Sequence, residues 1–160
     1  MIDLKSRSKN RRDYILLIVL FFLIGGVYFV FQSFFFGGEA QKAHIFYGSS
    51  NQPIVSIDFV KRTVTKNYSQ SVPDGYDDIY PIIDLTHQKI VLLGFYSINQ
   101  IRQEVVISYD FDKKSVIVIE EKSPFNICSR EGESTGKPII CLPNRIRIEF
   151  EVKTEDDFII

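Results

Sequence analysis

Between Tyr14 and Phe36 the chain reads YILLIVLFFLIGGVYFVFQSFFF, with no charged side chain and only Gln32 and Ser33 clearly polar. Wound as a helix at about 1.5 Å per residue, this run rises roughly 35 Å. That length crosses a hydrocarbon core of about 30 Å with some tilt. The run predicts an uncleaved transmembrane signal anchor over residues 14–36, and every other segment has to be read relative to it. A cleaved signal peptide is the rival reading, since Gly38-Glu39-Ala40 offers small residues to a signal peptidase. An h-region of such peptides runs about 7–15 residues, however, and this one is far longer.

Charge sets the expected orientation. Lys5, Arg7, Lys9, Arg11 and Arg12 precede the run against Asp3 and Asp13, whereas no cationic cluster follows it. The positive-inside rule then makes residues 1–13 a cytoplasmic basic tail and sends the C-terminal part across the membrane, into a periplasmic or extracellular space. Outside that tail, 14 basic residues face 18 acidic ones. A mildly acidic remainder has no electrostatic footprint for nucleic acid. The expected partners are the lipid bilayer and other membrane or envelope proteins, in a hetero-oligomer.

Residues 37–50 read as a juxtamembrane linker, with Gly37-Gly38 ending the helix and Gly48-Ser49-Ser50 giving slack. Beyond them the pattern turns to period two. In Arg145 to Val152, RIRIEFEV, apolar Ile146, Ile148, Phe150 and Val152 alternate with Arg147, Glu149 and Glu151. A strand sends these two sets to opposite faces. Val105–Phe111 and Ser115–Glu121 flank Asp112-Lys113-Lys114 as a hairpin. Lys89–Ile98 reads as a central strand with a bend or bulge at Gly94, turned by Asn99-Gln100 into the strand that starts near Ile101. Ile54–Val60, Thr63–Lys66 and a short edge element over Pro81–Leu85 complete six to eight strands with no amphipathic helix between them. The expected fold is mainly β: one N-terminal transmembrane helix, then an antiparallel β-sandwich-like or open-barrel exported domain over 51–153. Residues 154–160 form a C-terminal tail.

Cys128 and Cys141 are the only cysteines and flank a loop rich in Gly, Ser, Pro and charge. On an oxidising side of a membrane they read as one disulfide. Closing a loop of this size contributes about 3 kcal/mol on the chain-entropy account. Two cysteines without a nearby His or a second Cys pair do not complete a zinc shell.

Chemistry-bearing clusters are sparse. Asp74, Asp77 and Asp78 share one loop and are weak candidates for a hard cation, without the ligand spacing of an EF-hand. Of the two histidines, His44 falls in the expected linker and His87 beside Asp84 at a strand end. Gly132-Glu133-Ser134-Thr135-Gly136-Lys137 is one residue short of a phosphate loop and is followed by Pro138. Asn67-Tyr68-Ser69 is a glycosylation sequon if the chain enters a eukaryotic secretory pathway. Within the membrane run, Gly25 and Gly26 form a notch that a second helix can approach, and Gln32 can hydrogen-bond across such an interface.

The order of elements from Lys89 to Val152 resembles that of bacterial small β-domains that stabilise envelope protease complexes. FYSINQIRQ stands where their Gly-rich centre would be, so the resemblance implies no site residue. No cofactor is expected. The sequence is read as a non-catalytic, membrane-anchored accessory or structural subunit of a membrane or envelope assembly; the alternative is an anchored module that binds a cation or glycan.

Overall fold

The computed structural model describes residues 4–36, 39–73, 75, 76 and 80–153, with the side chains of 4–10 and 31–36 left aside. The chain divides into two units, Met1–Gly37 and Gly38–Ile160. The first is a single helix, α1 (Leu4–Phe36). Its stretch Arg11–Val30 is long and apolar enough to cross a membrane. Tyr14 to Val30 expose large apolar side chains on all sides of the helix axis, so no polar face exists to meet water. The helix starts ten residues ahead of the apolar run. Once a helix is nucleated, extending it through a segment without Pro or Gly adds one hydrogen bond per residue.

The second unit is built from two antiparallel sheets. One contains β1 (Ala40–Tyr47), β2 (Val55–Asp58), β3 (Thr63–Lys66), β8 (Ile139–Cys141) and β9 (Ile146–Val152), in the order β3-β2-β1-β9-β8. The other contains β4 (Ile82–Asp84), β5 (Lys89–Ile98), β6 (Ile101–Asp110) and β7 (Ser115–Glu120), in that order. A short 3₁₀ turn, Pro124–Asn126, and a single-turn helix, α2 (Ile127–Arg130), follow β7. One hydrophobic cluster draws on both sheets: Ala43 and Ile45 from β1 and Ile148 from β9 join Leu92 from β5, Ile107 from β6 and Val118 from β7. The period-two pattern is what builds it. In β6, Val105, Ile107 and Tyr109 are buried while the residues between them are not.

Residues 40–47 depart from the linker reading. They form β1, the middle strand of the five-stranded sheet, paired with β2 on one side and β9 on the other. Ala43 and Ile45 are fully buried there, with the half-buried His44 between them and Lys42 ahead of Ala43. The alternation is short and its inward residues include two alanines, so it carries little hydrophobic contrast in the sequence. A bulge between Ala40 and Lys42 breaks it further. β8 was hidden for a related reason. It is three residues long, inside a stretch whose Gly, Ser and Pro content reads as loop.

The remaining strands lie where the pattern puts them. Asn99 and Gln100 turn β5 into β6 with φ of 50° and 66°, the left-handed pair that a two-residue hairpin needs. A register shift between Leu93 and Ser97 marks a bulge around Gly94. The strand ends define two ends of this unit. β1 starts at the near end, with the turns 59–62, 85–88 and 111–114; it finishes at the far end, with the turns 48–54, 99–100 and 142–145.

If 40–47 is a core strand, Ile45→Ala should cost about 2–5 kcal/mol. Urea unfolding of the full chain in mild detergent, followed by the midpoint, measures this. A midpoint unchanged by the substitution would fit a linker and not β1.

Candidate docking surface

At the far end a buried polar knot holds three segments together. Asn144 is fully buried. Its Nδ2 donates to Glu121 Oε2 at 3.1 Å, and its Oδ1 accepts the Tyr96 N–H at 3.3 Å. Glu121, also buried, accepts the Cys128 N–H at 2.8 Å and the Ser123 N–H at 3.3 Å. The turn before β9, the segment after β7 and the bulge of β5 are thereby tied to one another. Each of these polar groups has a partner, which buried groups require. Gly94 is what makes the fit possible. A Cβ on it would lie 2.1 Å from Asn144 Oδ1 and 3.0 Å from the Gln103 carbonyl oxygen.

The disulfide expected from the sequence is present. Cys128 on α2 is bonded to Cys141 at the end of β8, with Cα atoms 5.1 Å apart, and both residues are buried. Glu121 lies close enough to the two sulfurs for the trio to resemble a metal site. Sulfurs bonded to each other are not thiolates, however, and thiolates are what bind a metal.

Beside the knot, Phe95 stands between two cations. The guanidinium carbons of Arg102 and Arg145 each lie 4.6 Å from the centre of its ring. Tyr47 completes the group, its ring centre 5.2 Å from that of Phe95. Arg102 Nε donates to the Gly94 carbonyl at 2.7 Å and its Nη2 to the Leu93 carbonyl at 3.0 Å and to the Tyr47 hydroxyl. Tyr47 in turn donates to the Leu93 carbonyl at 2.9 Å. The bulge would otherwise leave those β5 carbonyls without ladder partners, so a cation satisfies them. Burial pushes the Tyr47 phenol above its ordinary pKa, with the Arg102 guanidinium pulling the other way.

This framework presents large apolar side chains to solvent. Phe125 and Leu142 are each 78% exposed, and Ile127, Ile140, Ile98 and Ile101, on segments that end or turn here, are exposed as well. Four of the six flank the bonded cysteines. Phe125 has φ 65°, a backbone conformation that is unusual for a bulky residue and needs its surroundings to hold it. Scattered single apolar residues are ordinary on a protein surface, but a group of this size gathered at one end is the composition of a contact surface.

The residues singled out in the sequence fall elsewhere or outside. Asp74, Asp77 and Asp78 lie outside the described residues, as does the side chain of Gln32. Nothing in the structure lies within 4 Å of where a Cβ on Gly25 or Gly26 would be, so the notch is open. His87 closes a turn: Asp84 accepts its N–H at 3.0 Å and its Nδ1 lies 2.7 Å from the same carboxylate. These contacts, the His87 backbone N–H first, hold the Asp84 carboxyl below its usual range. The Asn67 amide of the sequon donates to the Pro53 carbonyl and to Ser56 Oγ.

His44 is better placed than the sequence implied. Its Nδ1 is 3.0 Å from Ser56 Oγ and its Nε2 is 2.8 Å from Glu151 Oε1, while Lys42 Nζ contacts the other oxygen of that carboxylate at 2.9 Å. Strand pairing brings these residues together, and no sequence spacing could have shown it. The order serine–histidine–carboxylate is that of a hydrolase triad. Ser56 sits mid-strand between β1 and β3, so its N–H belongs to a ladder and not to an oxyanion hole. The group is a cross-strand polar cluster.

Compared with protein-family models, with curated proteins and with solved structures, the chain gives no significant match.

Two outcomes follow from this geometry. Gly94→Ala should cost about 1–3 kcal/mol through the forced shift of Asn144, read as a lowered urea midpoint; an unchanged midpoint would mean that the contact is slack. Lys42 first, then His44, holds the Glu151 carboxyl below its ordinary pKa by hydrogen bonding. A carboxyl depressed in the folded state contributes stability that is complete above its unfolded value and is lost as pH falls through the folded one. Glu151→Gln should therefore flatten the loss of thermal stability below about pH 4.3, the ordinary Glu value. Melting curves taken through the acid range compare the two proteins, and parallel losses would show that the cluster contributes nothing.

Proposed function

We propose that this chain is a single-pass, membrane-anchored, non-catalytic accessory subunit whose sandwich-like β domain docks on a partner protein through its far end. The observation that carries the reading is the concentration of exposed apolar side chains on segments that are individually pinned. Phe125, Ile127, Ile140 and Leu142 flank the Cys128–Cys141 bond, and the knot at Asn144 and Glu121 fixes the same segments from beneath. A surface ordered before binding loses little conformational entropy when it binds, which favours affinity. Aromatic and aliphatic anchors at the centre with arginine beside them are the composition of interface hot spots.

The anchor rests on α1, apolar on all sides, with Lys5, Arg7, Lys9, Arg11 and Arg12 ahead of its apolar run. That asymmetry favours a cytoplasmic N-terminus and an exported C-terminal domain. A disulfide fits a periplasmic or extracellular location. The partners in this reading are the lipid bilayer and one or more membrane or envelope proteins, in a hetero-oligomer.

A photo-crosslinking residue placed at Phe125 or Leu142, and separately at Thr65 on β3 as a control, tests the docking in native membranes. Adducts with one protein of constant mass from the first two positions, and none from Thr65, are the expected result. Phe125→Ser combined with Leu142→Ser should then lower recovery of that protein with the tagged chain by on the order of tenfold. Failure of both far-end positions to form any adduct would overturn the reading.

A further inference from the structure

We propose that, while its two cysteines are reduced, the chain holds one thiophilic divalent cation of the zinc class between Cys128 Sγ, Cys141 Sγ and the Glu121 carboxylate. This site goes beyond the docking reading and does not depend on it.

Tertiary structure assembles the ligand set. Glu121 directly follows β7, Cys128 lies on α2 and Cys141 ends β8. A carboxylate oxygen and the two sulfurs all lie within 4.8 Å of one another, and the three residues are buried. Two thiolates alone leave a zinc shell half filled. The carboxylate makes three protein ligands, the number found where a fourth position stays open to water. Thiolate donors select zinc-like ions over magnesium or calcium.

Glu121 has an acceptor site to spare. An ionised carboxylate offers about four. Among the described residues, Oε2 accepts from the Ser123 N–H at 3.3 Å and from Asn144 Nδ2 at 3.1 Å, whereas Oε1 accepts only the Cys128 N–H, at 2.8 Å. Asn144 Nδ2 also lies 3.5 Å from Cys141 Sγ. One buried amide thus orients two of the ligands, the outer support on which metal sites rely. A cleft of about 530 Å³, lined in part by Tyr76, Tyr80, Glu104, Lys122 and Ser129, reaches Glu121 and gives an ion and a water a way in.

The movement required is small. The Cα atoms of the cysteines are 5.1 Å apart. Rotation about their Cα–Cβ bonds takes the sulfurs to the roughly 3.8 Å that two Zn–S bonds of about 2.3 Å subtend at a tetrahedral centre. Bond and ion exclude each other. A dithiol reductant gives two electrons and two protons to the S–S bond and leaves as its own disulfide; the ion then displaces one proton from each thiol to solvent. A disulfide oxidant takes the two electrons back, restores the bond and expels the ion. Either clamp ties α2, β8 and the end of β7 together, and the redox state of the compartment selects which.

The test uses the full chain, synthesised cell-free into mild detergent with dithiothreitol, which is then removed without air. Titration with Co²⁺ should load one ion per chain, with a thiolate-to-cobalt charge-transfer band that Zn²⁺ abolishes and that the disulfide form never shows. Glu121→Gln should weaken binding on the order of tenfold or more. Glu133→Gln, whose parent carboxylate bonds Ser115 instead, should leave it unchanged. Because Glu121 also belongs to the buried knot, X-ray absorption of the wild-type zinc form supplies a count that no variant has to fold for: two sulfurs and two lighter ligands. Absence of the charge-transfer band, a shell without sulfur, a four-sulfur shell shared between two chains, or equal affinity in a folded Glu121→Gln protein would each overturn the site.

Discussion

The pairing of the first strand with the last is the interaction on which the β domain depends. Seven register pairs join β1 to β9, from Ala40↔Val152 to Tyr47↔Ile146. β1 also holds β2, and through it β3; β9 holds β8. Removal of this ladder would divide the five-stranded sheet into a fragment of three strands and one of two, and a two-stranded piece is marginal in water without further packing. The buried residues of the two strands, Ala40, Ala43, Ile45, Ile146 and Ile148, join residues of β5, β6 and β7 in the hydrophobic cluster. Closing a loop of about a hundred residues, between Tyr47 and Ile146, costs conformational entropy, though slowly with length, and the burial of these side chains offsets it.

From that frame the far end acquires its rigidity. A bulge in β5 frees carbonyls that Arg102 and Tyr47 then satisfy, and it opens the space that Asn144 fills above Gly94. The covalent bond between Cys128 and Cys141 holds α2 against β8 at the same place. Polar groups buried in a medium of low dielectric are costly when unpaired and specifying when paired. The knot therefore fixes one arrangement of three segments, and the apolar side chains mounted on those segments inherit it. The near end differs in kind. Its turns carry charged pairs at the surface, such as Arg62 with Asp112 and Lys114 with Glu39, which contribute little to stability but keep polar groups facing outward.

How much of this was legible in the sequence varies with the range of the interaction. Ile146, Ile148, Phe150 and Val152 alternate with charges in the sequence, and the strand they predict is β9. The β5–β6 turn at Asn99-Gln100 and the bulge at Gly94 were equally readable, because both follow from the backbone preferences of a few neighbouring residues. β1 was not readable. Ala43 looks neutral in sequence and becomes a core residue only because β2 and β9 approach on both sides. The His44, Ser56 and Glu151 cluster and the Asn144 knot were out of reach for the same reason. Their members lie on different strands and turns, and no local spacing connects them.

The sequence by itself determined a long helix apolar on every side, a β-rich remainder and one cysteine pair, since hydrophobic period and residue count act within a single segment. Tertiary structure alone decided that 40–47 is a central strand, that Gly94 makes room for Asn144, and that the exposed Phe125, Ile127, Ile140 and Leu142 are mounted on segments held by the disulfide. Those outcomes depend on strand order and register, which are set by the summed burial of residues distant in the chain and by no short stretch of it.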